Sequence, residues 1–111
     1  MLLSEAYENR LEPRKPFDAY LNKYVCDEPF MVRSADISKN GIYLHKLIEP
    51  NIPDGTMVSL EFMLPNSNEV IWVRGAVIRE GSRWGTDGVG VWFTIVPNAY
   101  RRLIDAFISN N

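Results

Sequence analysis

The sequence predicts a mainly β domain, a small antiparallel barrel or sandwich of six short strands, closed by one C-terminal α-helix. Three observations predict it. Apolar residues recur with period two through most of the chain, turn-forming clusters separate these runs, and the period becomes helical near the C-terminus. The 111 residues, 46% hydrophobic and 23% charged, suit one packed domain and are too apolar for a disordered chain.

The elements follow in chain order. Residues 1–16 are polar and charged and close on Pro13 and Pro16, which predicts a flexible or extended N-terminal segment ahead of a domain at 17–111. Phe17 to Asn22 alternates apolar and polar, as a half-buried strand does. A second strand runs from Phe30 to Ile37, and the turn signal Lys39-Asn40-Gly41 leads into a third, Ile42 to His45. Met57 to Met63 alternates cleanly. Val70 to Ile78 is long, and Gly75 marks a bulge or bend within it. Val89 to Ile95 is the last strand. The clusters Pro50 to Gly55, Pro65 to Asn68 and Gly81 to Gly88 are expected as turns. Tyr100, Leu103, Ile104, Phe107 and Ile108 share one helical face, placing a closing helix at about 98–109 with Asn98 as its N-cap.

Charge and cysteine content exclude several function classes. The formal net charge of −2 lacks the basic footprint that a DNA- or RNA-coating protein needs, though it leaves room for a local basic site. Cys26 is alone, so the chain forms no internal disulfide and no cysteine-based zinc site, which fits a reducing compartment. Met1-Leu2-Leu3-Ser4-Glu5 has no basic n-region, and no apolar run is long enough for a membrane span. A cytoplasmic protein with no membrane insertion is expected.

Enzyme chemistry finds little to work with. His45 is the single histidine and reads as a partly exposed strand residue. Nothing orients Cys26 and His45 as a nucleophile–base pair, and a lone cysteine near a strand end reads as a small packing residue. Asp36-Ile37-Ser38-Lys39-Asn40-Gly41 opens like a calcium loop, but the twelfth position is Leu47, not a bidentate acid. No Gly-rich phosphate loop is present. No catalytic residue, metal or cofactor is therefore expected.

That hexapeptide, Asp36-x-Ser38-x-x-Gly41, has a better match. It follows Arg10-Leu11-Glu12-Pro13-Arg14, an Arg-x-x-x-Arg element, and precedes the strand Gly88-Val89-Gly90-Val91-Trp92-Phe93. Neither motif is specific by itself: Arg79 and Arg83 repeat the arginine spacing by chance. Their order and the strand pattern together resemble the PilZ domain family over roughly residues 9–109. The resemblance implies a six-stranded, split-barrel fold with a C-terminal helix. It also implies a ligand, the bacterial second messenger cyclic di-GMP.

The chemistry suits those positions. A guanidinium can bond guanine O6 and N7, stack on a purine or grip a phosphate, so Arg10 and Arg14 are implied ligand residues. Asp36 supplies acceptors for the guanine N1–H and amino group, and Ser38 donates or accepts beside it. Gly41 permits positive φ and a close approach to the backbone. Arg79 is implied as a stacking group where relatives often place an aromatic on the fifth strand. Trp72, Trp84 and Trp92 read as packing residues. Asn9 stands where some relatives carry a further arginine, so one ligand per protomer is expected. Read singly, the same residues have blander uses: Arg10 and Arg14 pairing with Glu5, Glu8 or Glu12, and Asp36 and Ser38 capping a turn.

The function implied is a single-domain cyclic di-GMP receptor. Its N-terminal segment orders on binding, and it signals through an unidentified effector protein, since 111 residues hold no output domain. The alternative is an adaptor of the same fold that works through protein contacts without the ligand.

Overall fold

The computed structural model describes residues 12–45, 52–83 and 86–110, with side chains described outside 79–87. It contains strands β1 (Arg14–Pro16), β2 (Tyr20–Val25), β3 (Glu28–Ser38), β4 (Gly41–His45), β5 (Met57–Phe62), β6 (Ile71–Arg83) and β7 (Thr86–Ile95), then helix α1 (Asn98–Ser109). The strand order is β1-β3-β2-β5-β6-β7-β4, all neighbours antiparallel, and a further β3–β4 pairing closes the sheet. The result is a six-stranded antiparallel barrel with one extra strand and a C-terminal helix. Of the two expected alternatives the barrel is correct.

Alternation places the core. Leu21, Val32, Ile37, Ile42, Leu44, Val58, Leu60, Val73, Val77, Val89 and Val91 point inward, and Ile104 and Phe107 of α1 close one end. Phe17 joins the two layers. Its ring centroid lies 5.8 Å from that of Phe62 in the sheet and 5.9 Å from that of Phe107 in the helix. Lys23 departs from the pattern, taking an inward position in β2 at 1% exposure.

Three expectations about boundaries need correction. The alternation at 17–22 predicts one strand, but the chain forms two, Arg14–Pro16 and Tyr20–Val25, joined through Phe17 to Ala19. Ser34 fastens that joint: its hydroxyl bonds the Phe17 carbonyl at 2.5 Å, and the Ala19 amide donates to it at 3.1 Å. The Gly81 to Gly88 cluster is not mainly a turn, because Gly81, Ser82 and Arg83 pair with Gly88, Asp87 and Thr86 and lengthen the β6–β7 hairpin. Asn98 is not the N-cap but the first helical residue; Pro97 takes the cap position, and its carbonyl accepts from Tyr100 and Arg101 at 2.9 Å.

Two turns carry distinct backbone chemistry. The β2–β3 hairpin closes over Cys26 and Asp27, whose φ values of 50° and 66° meet the condition of a type I′ turn. The cysteine is thus an exposed turn residue rather than a packing residue. Gly75 does sit at an irregularity, where the register with β7 shifts. A Cβ there would lie 2.5 Å from the Trp92 carbonyl oxygen and 2.7 Å from Val91 Cγ1.

Replacing Cys26 and Asp27 together by Asn-Gly, which adopts positive φ with less strain, should stabilise the fold by about 1 kcal/mol. The midpoint of chemical unfolding measures it. Gly75→Ala meets backbone that cannot yield and should destabilise by about 1–3 kcal/mol in the same experiment.

Candidate functional site

The second half of β3 builds the site. Its residues Asp36 and Ser38 lie on the outer side of the barrel wall while Ile37, between them, points into the core. Strand β1 lies beside this half, with Arg14 opposite Ser38 and Pro16 opposite Asp36. Directly opposed residues share a face of an antiparallel pair, so the Arg14 side chain stands over both motif residues.

The contacts are close. Arg14 Nε donates to Asp36 Oδ1 at 2.6 Å, and Arg14 Nη1 donates to Ser38 Oγ at 3.2 Å. The two charged side chains are only 10% and 12% exposed, so the pair is screened from water. Its charge-assisted bonds are correspondingly stronger than those of a surface pair. The Arg14 element and the Asp36 element, remote in sequence, are therefore one structural unit.

Glu12 completes it. Its Oε1 accepts from Ser38 Oγ at 2.8 Å and its Oε2 from Asn40 Nδ2 at 2.8 Å. Ser38 Oγ also lies 3.3 Å from the Gly41 carbonyl, but its single proton is better placed for Glu12. Gly41 opens β4 opposite Trp92 in extended conformation; among the described glycines only Gly55 has positive φ, at 87°. The positive φ that Gly41 permits is thus not used, and the turn lies at residues 39–40 just before it.

Helix α1 is tied to both motifs. Lys15, opposite Ile37 and so on the other face from Arg14, sends its Nζ to the carbonyls of Phe107, at 2.8 Å, and Asn110. The ammonium also lies 4.2 Å from the Phe107 ring centroid. No basic residue occupies the last turn of α1, so Lys15 supplies the positive charge that a helix C-terminus favours. Arg101 Nη1 donates to the Lys39 carbonyl, inside the second motif. A cleft of about 330 Å³ lies between these parts, lined by Glu12, Pro13, Lys39, Asp105, Ile108 and Ser109.

Of the six expected ligand residues, the structure brings together Arg14, Asp36, Ser38 and Gly41. Arg10 lies outside the described residues. Arg79 falls in the irregular stretch of β6 between Ile78 and Gly81, and only its backbone is described. Sequence reasoning groups Lys15 with Arg10 and Arg14 as a local basic cluster but misses its contact with the helix end, and misses Glu12, Asn40 and Arg101 as parts of this unit. One signal existed for Glu12: in an extended chain residue i−2 shares a face with residue i, here Arg14.

Other electrostatic features lie apart from the motifs. Arg33 grips Asp18 with bonds of 2.6 and 2.7 Å, which holds the exposed Asp18 carboxyl below its ordinary range. Tyr24 donates to Glu61 at 2.7 Å, and that bond pushes the phenol up. Cys26 and His45 cannot act together. His45 pairs with Arg33, five strand positions from the Glu28 end of β3, so about 17 Å of strand separates it from the Cys26 turn. Among the described residues no three His, Cys, Asp or Glu side chains gather as a metal group. No helix among them is long and apolar enough to cross a membrane.

Comparison with known proteins bears on the fold. A family model described as the PilZ domain matches residues 8–110. The solved structure of the inhibitor of motility MotI/DgrA from Bacillus subtilis superposes with a TM-score of 0.73 at 15% identity. The match covers 86% of this chain and 47% of that one, so the chain spans about half that protein's length. At this identity the likeness is one of fold. No curated protein sequence matches significantly.

Lys15→Met keeps the apolar stem over Phe107 but removes the charge from the helix end. It should lower stability by about 1–2 kcal/mol and speed amide exchange in the last turn of α1, read by thermal unfolding and hydrogen exchange.

Proposed function

The chain belongs to the PilZ domain family, and on that premise we propose that it is a cyclic di-GMP receptor that catalyses no reaction and signals through a partner protein. The observation that carries this reading is the convergence of Arg14 on Asp36 and Ser38 across the β1–β3 pair. Guanine offers acceptors at O6 and N7 and donors at N1 and N2. A guanidinium, a carboxylate and a hydroxyl on one face are complementary to that set.

In this reading Arg10 joins Arg14 in holding a guanine face or a phosphate. Asp36 and Ser38 take the guanine edge. Gly41, bare of a side chain beside Ser38, lets the ligand lie against the backbone, and Arg79 stacks on a base. Ligand binding orders the N-terminal segment across the barrel, an order–disorder switch whose new surface an effector protein reads. One ligand binds per protomer, no nucleic-acid polymer is engaged, and the protein works in the cytoplasm.

One observation favours a second reading, a protein-contact adaptor that does not use the ligand. Arg14 and Asp36 already satisfy each other in a site mostly shielded from water, so the motif also serves the fold. Titration calorimetry with cyclic di-GMP separates the two. Wild type should bind at micromolar concentration or tighter with a stoichiometry near one. Arg14→Lys, which keeps the charge but loses the planar fork, should bind at least roughly tenfold more weakly. Undiminished binding by Arg14→Lys overturns the assigned site. No binding by wild type overturns the receptor and leaves the adaptor.

A further inference from the structure

The site already contains an anion, and the chain itself supplies it. Glu12 places one carboxylate oxygen 2.8 Å from the Ser38 hydroxyl and the other 2.8 Å from the Asn40 side-chain amide. A carboxylate presents two oxygens that accept hydrogen bonds, and the guanine edge presents two acceptors, O6 and N7. Glu12 is therefore a chemical stand-in for the guanine edge that the receptor reading gives to Ser38.

The position of Glu12 fits that role. It lies inside the Arg-x-x-x-Arg element, two residues from Arg14. Its two oxygens take the Ser38 and Asn40 donors, while Arg14 reaches Asp36 and Ser38 from β1. Glu12 and Pro13 line the cleft together with Lys39, Asp105, Ile108 and Ser109. Ser38 has one proton to donate, so while Glu12 holds it no ligand can.

We propose that Glu12 is an intramolecular competitor that occupies the Ser38 and Asn40 donors and must be displaced when the guanine edge of the ligand binds. This rests on the receptor reading above. Ligand affinity is then set by a difference: the free energy of the ligand's own hydrogen bonds, less that of the Glu12 bonds it breaks. The competitor weakens every ligand that needs those donors by the same factor, raising the concentration at which the site fills.

The test compares wild type, Glu12→Gln and Glu12→Ala by calorimetric titration with cyclic di-GMP. Glu12→Ala, which frees both donors and removes the charge, should bind roughly five- to twentyfold more tightly than wild type. Glu12→Gln, which keeps the shape without the charge, should fall between. The side-chain amide resonances of Asn40 should also shift in Glu12→Ala without ligand. Wild-type binding with Glu12→Ala equal or weaker overturns the competitor and leaves the receptor standing. Unmoved Asn40 resonances overturn it as well. Failure of all three proteins to bind overturns the receptor reading and this inference with it.

Discussion

Strand β3 has to serve two different neighbours along one edge. Its first half pairs with β2, from Glu28 to Arg33, and its second half with β1, from Asp36 to Ser38. On the other edge it meets β4, which closes the barrel. The handover occurs at Ser34 to Asp36, where the register with β4 shifts and the Ser34 hydroxyl holds the β1–β2 joint. Everything at the site descends from this bend. Ile37 packs into the core, which fixes Asp36 and Ser38 on the outside; β1 then has room to lie alongside, and Arg14 falls over the two of them.

The core was legible because its rule is simple. Period-two runs mark the inward residues of β2 to β7, and the helical spacing from Tyr100 to Ile108 marks the buried face of α1. The site was half legible. Arg14, Asp36, Ser38 and Gly41 stand out as a spaced pattern, and they do meet. What lay hidden depends on tertiary context. Strand β1 is three residues long with Pro16 at its end, and proline is tolerated there because β1 pairs on one side only. No local signal marks such a strand. Lys15 reads as one more basic residue until the fold shows that it faces away from Arg14, toward a helix end 92 residues on. Glycines misled too: Gly81 and Gly88 oppose each other across a hairpin instead of turning the chain.

The arrangement makes the motif and the helix neighbours. Adjacent residues of β1 do different work, Arg14 outward to the motif and Lys15 inward to the helix C-terminus. The second motif repeats the pattern, with Ser38 turned to the site and the Lys39 carbonyl held by Arg101 of α1. Strand β1 and the β3–β4 turn each touch the helix directly.

Closure of the barrel does not involve β1. Strands β3 and β4 complete the ring by pairing with each other, and β2 keeps its own ladder on β3. Strand β1 adds only three residue pairs to this ring. The six-stranded ladder is complete without it. The chain thus separates two tasks: six strands close the barrel, and a short seventh carries Arg14 onto its outer wall.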